Sequence, residues 1–106
     1  ITLGMLVYLA DAVDGLTCHP AANSGTGKHL ADGFVALLNS GTAQVKTAGL
    51  LVLTNSLSAG SEIFLGLDGA MAISPPTESG NLVQKVGRVL NGNQVFFAVA
   101  AGREIV

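Results

Sequence analysis

Short runs rich in Val, Leu, Ile and Phe alternate along this chain with Gly-rich polar punctuation. No run has the length or period of a long helix. The runs Leu6–Leu9, Leu16–His19, Gly33–Leu38, Ala43–Ala48, Leu50–Thr54, Ile63–Leu67, Ala70–Ser74, Val83–Leu90 and Gln94–Ala100 read as β-strands. Asp14-Gly15, Asp32-Gly33, Asp68-Gly69 and Asn91-Gly92 read as turn dipeptides, because glycine accepts the positive φ such turns require. Fourteen glycines spread through the chain make long helices costly. Between Lys28 and Leu38 the apolar spacing would also suit a short amphipathic turn, but Gly33 and β-branched Val35 favour a strand. The pattern predicts an all-β fold, a small antiparallel sandwich or barrel.

Two segments break the pattern. Pro20–Lys28 is a polar, Gly-rich excursion expected to cover a surface or reach a neighbour. In Ser74–Asn81, Pro75 and Pro76 cannot donate ladder bonds, so the chain must leave its sheet there, and Gly80-Asn81 turns it back. A faint repeat links the halves. Gly4 to Leu9, Asp14-Gly15 and Gly33-Phe34-Val35 form one series; Gly60 to Leu65, Asp68-Gly69 and Gly87-Arg88-Val89 form the other, offset by 56 to 54 residues. Chance similarity of hairpins and duplication both account for it. Either way, two similar halves fit two sheets.

At 106 residues the chain is read as one domain, 1–106, long enough to bury a core. Its hydrophobic fraction is 49% but its charged fraction only 11%, against roughly 25% in ordinary soluble domains. Seven acids and five bases make a thin coat, so much of the nominal surface is expected to be covered by copies of the chain or a larger assembly. The plainer alternative is a neutral surface of Gly, Ser, Thr and Asn. A net charge of −2 with scattered bases argues against a nucleic-acid partner, as does an aromatic content of 5% without Trp. Cys18 is alone, which rules out an internal disulfide and leaves a small, buried or half-buried apolar side chain. The apolar windows Leu3–Ala10 and Ala48–Leu53 fall far short of the roughly 18 residues of a membrane helix, so no membrane partner is expected. Nothing basic precedes the first window, so it does not read as a signal peptide. A start at Ile1 fits a trimmed or processed product, or the ordered part of something longer.

Candidate chemistry is thin. Asn23-Ser24-Gly25-Thr26-Gly27-Lys28 resembles a phosphate loop only superficially, since Ala22 and His29 stand where Gly and Ser or Thr are needed. His19 and His29 lack further ligands at metal spacing; both flank one loop, so a trimer axis could still gather copies of them into a shared ion site. Ser56–Ser61 lacks the glycines of a nucleophile elbow. Among Asp11, Asp14, Asp32, Glu62, Asp68, Glu78 and Glu104, four sit in or beside expected turns, where backbone reasons place them. No catalytic, cofactor-binding or metal-binding residue is assigned, and the chain is not expected to be an enzyme.

Leu57-Ser58-Ala59-Gly60-Ser61-Glu62-Ile63-Phe64-Leu65 leads into Asp68-Gly69, and then into Ser74-Pro75-Pro76-Thr77-Glu78-Ser79-Gly80-Asn81-Leu82-Val83-Gln84-Lys85-Val86-Gly87-Arg88-Val89-Leu90. This stretch resembles a recurring module of tailed-bacteriophage virion proteins. That module's pattern runs from a Leu-x-x-Gly strand through Pro-Pro-Thr-x-x-Gly-x-x-Val-Gln-x-Val-Gly to a last strand. The first half also looks like small capsid decoration proteins. The resemblance covers most of the chain, and Pro75 to Gly87 is its distinctive part. Arg88-Val89 departs from it, since the module usually has a small residue there. The resemblance implies a structural protein of the virion, a capsid decoration or cement protein on the phage head. Its implied partners are the major capsid protein and further copies of itself, as a trimer. The alternatives are a fibre or spike module that binds a host surface glycan through Pro20–Lys28 and Ser74–Asn81, or a cellular β-domain or enzyme. Strand alternation puts Gln84 and Lys85 on opposite faces. Either one of them is buried against a neighbour, where the Gln84 amide could bond across a subunit boundary, or the segment is an exposed edge strand.

Overall fold

The computed structural model describes residues 1–12, 15–53, 58–91 and 93–106. The described residues form eleven strands in order: β1 (Leu6–Ala12), β2 (Gly15–Pro20), β3 (Gly33–Asn39), β4 (Thr42–Lys46), β5 (Ala48–Val52), β6 (Glu62–Leu65), β7 (Met71–Ala72), β8 (Leu82–Val83), β9 (Lys85–Asn91), β10 (Gln94–Ala98) and β11 (Arg103–Glu104). They form a four-stranded sheet ordered β2-β1-β3-β4, a five-stranded sheet ordered β5-β10-β9-β6-β7, and the small pair β11-β8. Every pairing is antiparallel. The fold is all-β, as the alternation predicts, and the two large sheets stay open rather than closing into a barrel.

Alternation is clearest in β10, where Val95 and Phe97 are buried while Phe96 and Ala98 face outward. The inward residues join Leu6 and Phe34 of the first sheet, and Ile63, Leu65, Val86 and Val89 of the second, in one core. Phe34 on β3 stacks on Phe97 on β10, with ring centroids 4.2 Å apart and planes 15° from parallel. That stack couples the two sheets.

The repeat is present in the backbone. Gly4 N–H donates to the Val35 carbonyl (2.8 Å) and Gly60 N–H to the Val89 carbonyl (2.7 Å). Val35 N–H returns a bond to the Met5 carbonyl, and Val89 N–H one to the Ser61 carbonyl, both at 2.9 Å. In each half the first strand lies between its hairpin partner and a later strand, β2-β1-β3 and β7-β6-β9. Gly33 and Gly87 also correspond. A Cβ on Gly33 would overlap the Lys46 carbonyl of β4, and one on Gly87 the Phe96 carbonyl of β10. Glycine lets the neighbouring strand approach at both places. Gly87→Ala is therefore expected to cost about 2 kcal/mol or more. That would appear as a Tm lower by roughly 8–16 °C in a thermal melt. Gly27→Ala, with open space around it, should move stability by less than about 0.5 kcal/mol.

Several expected elements differ. The run Val83–Leu90 is not one strand: it breaks at Gln84, whose side chain turns into the interior. Ile63–Leu67 and Ala70–Ser74 shrink to β6 and β7 because the turn takes Leu67–Ala70, closed by Ala70 N–H on the Leu67 carbonyl (2.9 Å). Asp68 and Gly69 hold the positive φ of that turn, 51° and 79°. Asp32-Gly33 is not a turn but the entry to β3, where the Asp32 carboxylate accepts the Leu9 N–H at 2.8 Å. Asp14, Gly92 and Thr54, parts of expected turns and of a strand end, lie outside the described residues. The two-residue β11 was not foreseen.

Candidate functional site

Strands β1 and β3 pair through Leu6–Phe34 and Val7–Gly33, and the bonds of Val35 with Gly4 and Met5 carry the contact one step further. Beyond those pairs no ladder joins the β1–β2 hairpin to the β3–β4 hairpin, and burial along β3 falls from complete at Gly33–Val35 to exposed at Leu37–Asn39. Between the hairpins lies an open cleft of about 790 Å3. Leu9, Leu16, Cys18, Leu38, Ala43 and Val45 line it with the polar Thr17, Asn39 and Thr42, and among the described residues no Asp, Glu, Lys, Arg or His side chain does. Leu16 is 68% exposed there, a large apolar side chain left in water. Such a surface is suited to binding by removal of apolar area from water.

A second apolar surface is the outward face of the five-stranded sheet. Leu50 (55% exposed) lies opposite Phe96 (38%), and Val52 (57%) and Leu90 are exposed as well. Phe96 is in turn opposite Arg88, and Arg88 opposite Glu62, so charge returns only toward the far side of the sheet.

The two polar loops meet. Asn23 N–H donates to the Gly66 carbonyl (3.0 Å), and its carbonyl accepts the Leu82 N–H (2.7 Å). The Lys28 ammonium donates to the Gly80 carbonyl and pairs with Glu104 of β11. Residues 20–28 and 74–81 therefore share one surface. With its ammonium so engaged, and Lys28 N–H turned onto the Gly25 carbonyl (3.3 Å), the Asn23–Lys28 segment forms a local turn rather than a phosphate cradle.

His19 and His29 also come together, through Tyr8. Its ring stacks on His29 at 3.9 Å and on His19 at 5.3 Å. His29 Nδ1 is 2.8 Å from the Leu30 carbonyl and His19 Nε2 is 3.0 Å from Thr17 Oγ1. Among the described residues no three His, Cys, Asp or Glu side chains gather as a metal site would need. The acids are dispersed: Asp32 on the Leu9 N–H, Glu62 with Lys85, Glu104 with Lys28, Asp68 in its turn. Ser58 and Ser61 belong to a turn closed by Ser61 N–H on the Ser58 carbonyl (3.2 Å), and Ser56 lies outside the described residues.

Gln84 corrects the expectation that its amide bonds across a subunit boundary. It is 97% buried within its own chain, with Oε1 accepting the Ala31 N–H (2.7 Å) and Nε2 donating to the carbonyls of Ala31 (2.8 Å) and Ala100 (2.9 Å). A side-chain amide thus pairs with Ala31 as a strand would. Lys85 faces outward, as the alternation requires. The cleft was not anticipated from the sequence, although the adjacent Leu37 and Leu38 signalled it: on a strand they must face opposite ways, so β3 has no polar face there. Neither a family model, nor a curated protein, nor a solved structure matches this chain.

Proposed function

We propose that the chain is a structural subunit of a bacteriophage particle, a decoration or cement protein that binds across the joints between major capsid proteins. The observation that carries this reading is the cleft between the hairpins, largely apolar and, among the described residues, without a charged side chain. The sparse charge of the whole chain supports it, and the resemblance over Pro75–Gly87 supplies the particle. Covering the cleft and the outer sheet face would contribute about 25 cal/mol per Å2 of apolar area removed from water. An interface of standard size buries ~1,600 Å2 in total, and many symmetric copies on one shell add avidity. Three copies about a local three-fold axis is the arrangement the resemblance implies. The decoration would strengthen the shell by area alone, with no reaction.

The test is cosedimentation with empty shells of the capsid protein encoded beside it. The chain is expected to pellet with the shells. Leu16→Lys and Leu38→Lys should weaken binding by about tenfold or more while circular dichroism stays unchanged. A chain that remains in the supernatant at every concentration counts against the reading.

A second reading, a fibre module that holds a host-surface glycan, is favoured by the joining of the two polar loops through Lys28 and Gly80. It predicts binding to intact host cells that survives Leu16→Lys.

A further inference from the structure

We propose that β5 pairs antiparallel with β5 of a second copy about a two-fold axis through Leu50, merging two five-stranded sheets into one of ten strands. Strand β5 is the edge of its sheet, bonded on one side to β10. The parity of that ladder is fixed at its ends, where Leu53 N–H donates to the Asn93 carbonyl and Val99 N–H to the Thr47 carbonyl. Odd-numbered residues therefore turn their N–H and C=O toward β10. The even-numbered Ala48, Leu50 and Val52 turn theirs to the open edge.

Those three residues form a self-complementary set. On an axis through Leu50, Ala48 lies opposite the second copy's Val52, and Leu50 opposite the second copy's Leu50. Every pair then matches outward-turned groups with outward-turned groups, so the ladder closes without a bulge. The same residues carry the exposed side chains, so the Phe96–Leu50 row continues across the axis into its own image. Charge permits the pairing. Lys46, the nearest charge before β5, is carried to opposite ends of the pair, roughly 26 Å from its image at 3.3 Å per residue. Other edges are guarded in the usual ways: β2 contains Pro20, β4 carries Lys46 and β7 has two residues. Strand β5 has neither Pro nor a charge. The contact goes beyond the proposed function and does not depend on the particle the chain belongs to.

A cysteine scan in a Cys18→Ser background tests it. Opposed residues in such a pair have Cα atoms about 5.5 Å apart, within the roughly 4.4–6.8 Å a disulfide spans. Leu50→Cys is expected to give a covalent dimer under mild oxidation. Ala48→Cys alone, whose copies lie roughly 14 Å apart, should give none, and Ala48→Cys with Val52→Cys should restore cross-linking. Sedimentation of the unmodified chain should give twice the 10.7 kDa mass, or an even multiple if a three-fold contact is added. Leu50→Lys should weaken that association by about tenfold or more. Cross-linking at Ala48→Cys alone to the same extent as at Leu50→Cys overturns the register. A monomer at ~100 µM, or an assembly indifferent to Leu50→Lys, overturns the contact itself. A dimer that ignores capsid shells would overturn the proposed function and leave this contact standing.

Discussion

Replacing Phe97 with alanine is expected to lower the free energy of unfolding by about 3–5 kcal/mol, the range for a fully buried aromatic side chain. Phe97 is completely buried, and its ring lies on Phe34, so truncation removes apolar burial and an aromatic pair that joins the two sheets. Domains of this size have roughly 5–15 kcal/mol in all, and one substitution would thus remove a large share. Guanidinium titration is the measurement. The midpoint should fall with little change in slope, because the surface exposed on unfolding hardly alters. Phe96→Ala, one position away on the outward face, should cost about 1 kcal/mol or less. Equal losses at both positions would mean that the inward and outward faces of β10 have been misassigned.

Gln84→Leu is expected to cost about 3 kcal/mol or more, although it keeps most of the volume and adds no charge. It would strand two buried backbone groups, the N–H and carbonyl of Ala31, at roughly 1–3 kcal/mol each, and would take a partner from the carbonyl of exposed Ala100. Gln84→Glu separates shape from bonding. At neutral pH its carboxylate would still accept from Ala31 but would face two carbonyl oxygens with no proton to give, so the loss should be at least as large. Both are read from the same titration. A Gln84→Leu protein as stable as the parent would mean that the amide does not close the gap between β8 and β9.

Strands with one buried face were the most legible: inward Val95 and Phe97 against outward Phe96 and Ala98 is a period of two in the letters themselves. The turn at Asp68-Gly69 was legible for a local reason, positive φ. What escaped was decided at a distance. Nothing near Val83–Leu90 announces that Gln84 will find its partners 53 and 16 residues away and so divide the run. Asp32-Gly33 reads as a turn until the close approach of the Lys46 carbonyl gives that glycine another purpose. His19 and His29 were noticed for flanking one loop, but their shared stack on Tyr8 depends on which side of β1 each loop end returns to. For the candidate site, the sparse charge pointed to a covered surface and not to its place. The cleft lies between two hairpins joined only by a short pairing at the start of β1 and β3, and no local pattern encodes where two hairpins part.

The two repeated units are not free to move apart. The segment that leaves the first unit, β5, follows β4 after Thr47 alone and is laid along β10 of the second. Thr47 is itself held by Val99 N–H at 2.9 Å. There is no spare chain at that junction to serve as a pivot, so the sandwich would meet any partner as one unit. Little conformational freedom is then left to lose on docking, and even modest contacts can translate into lasting attachment.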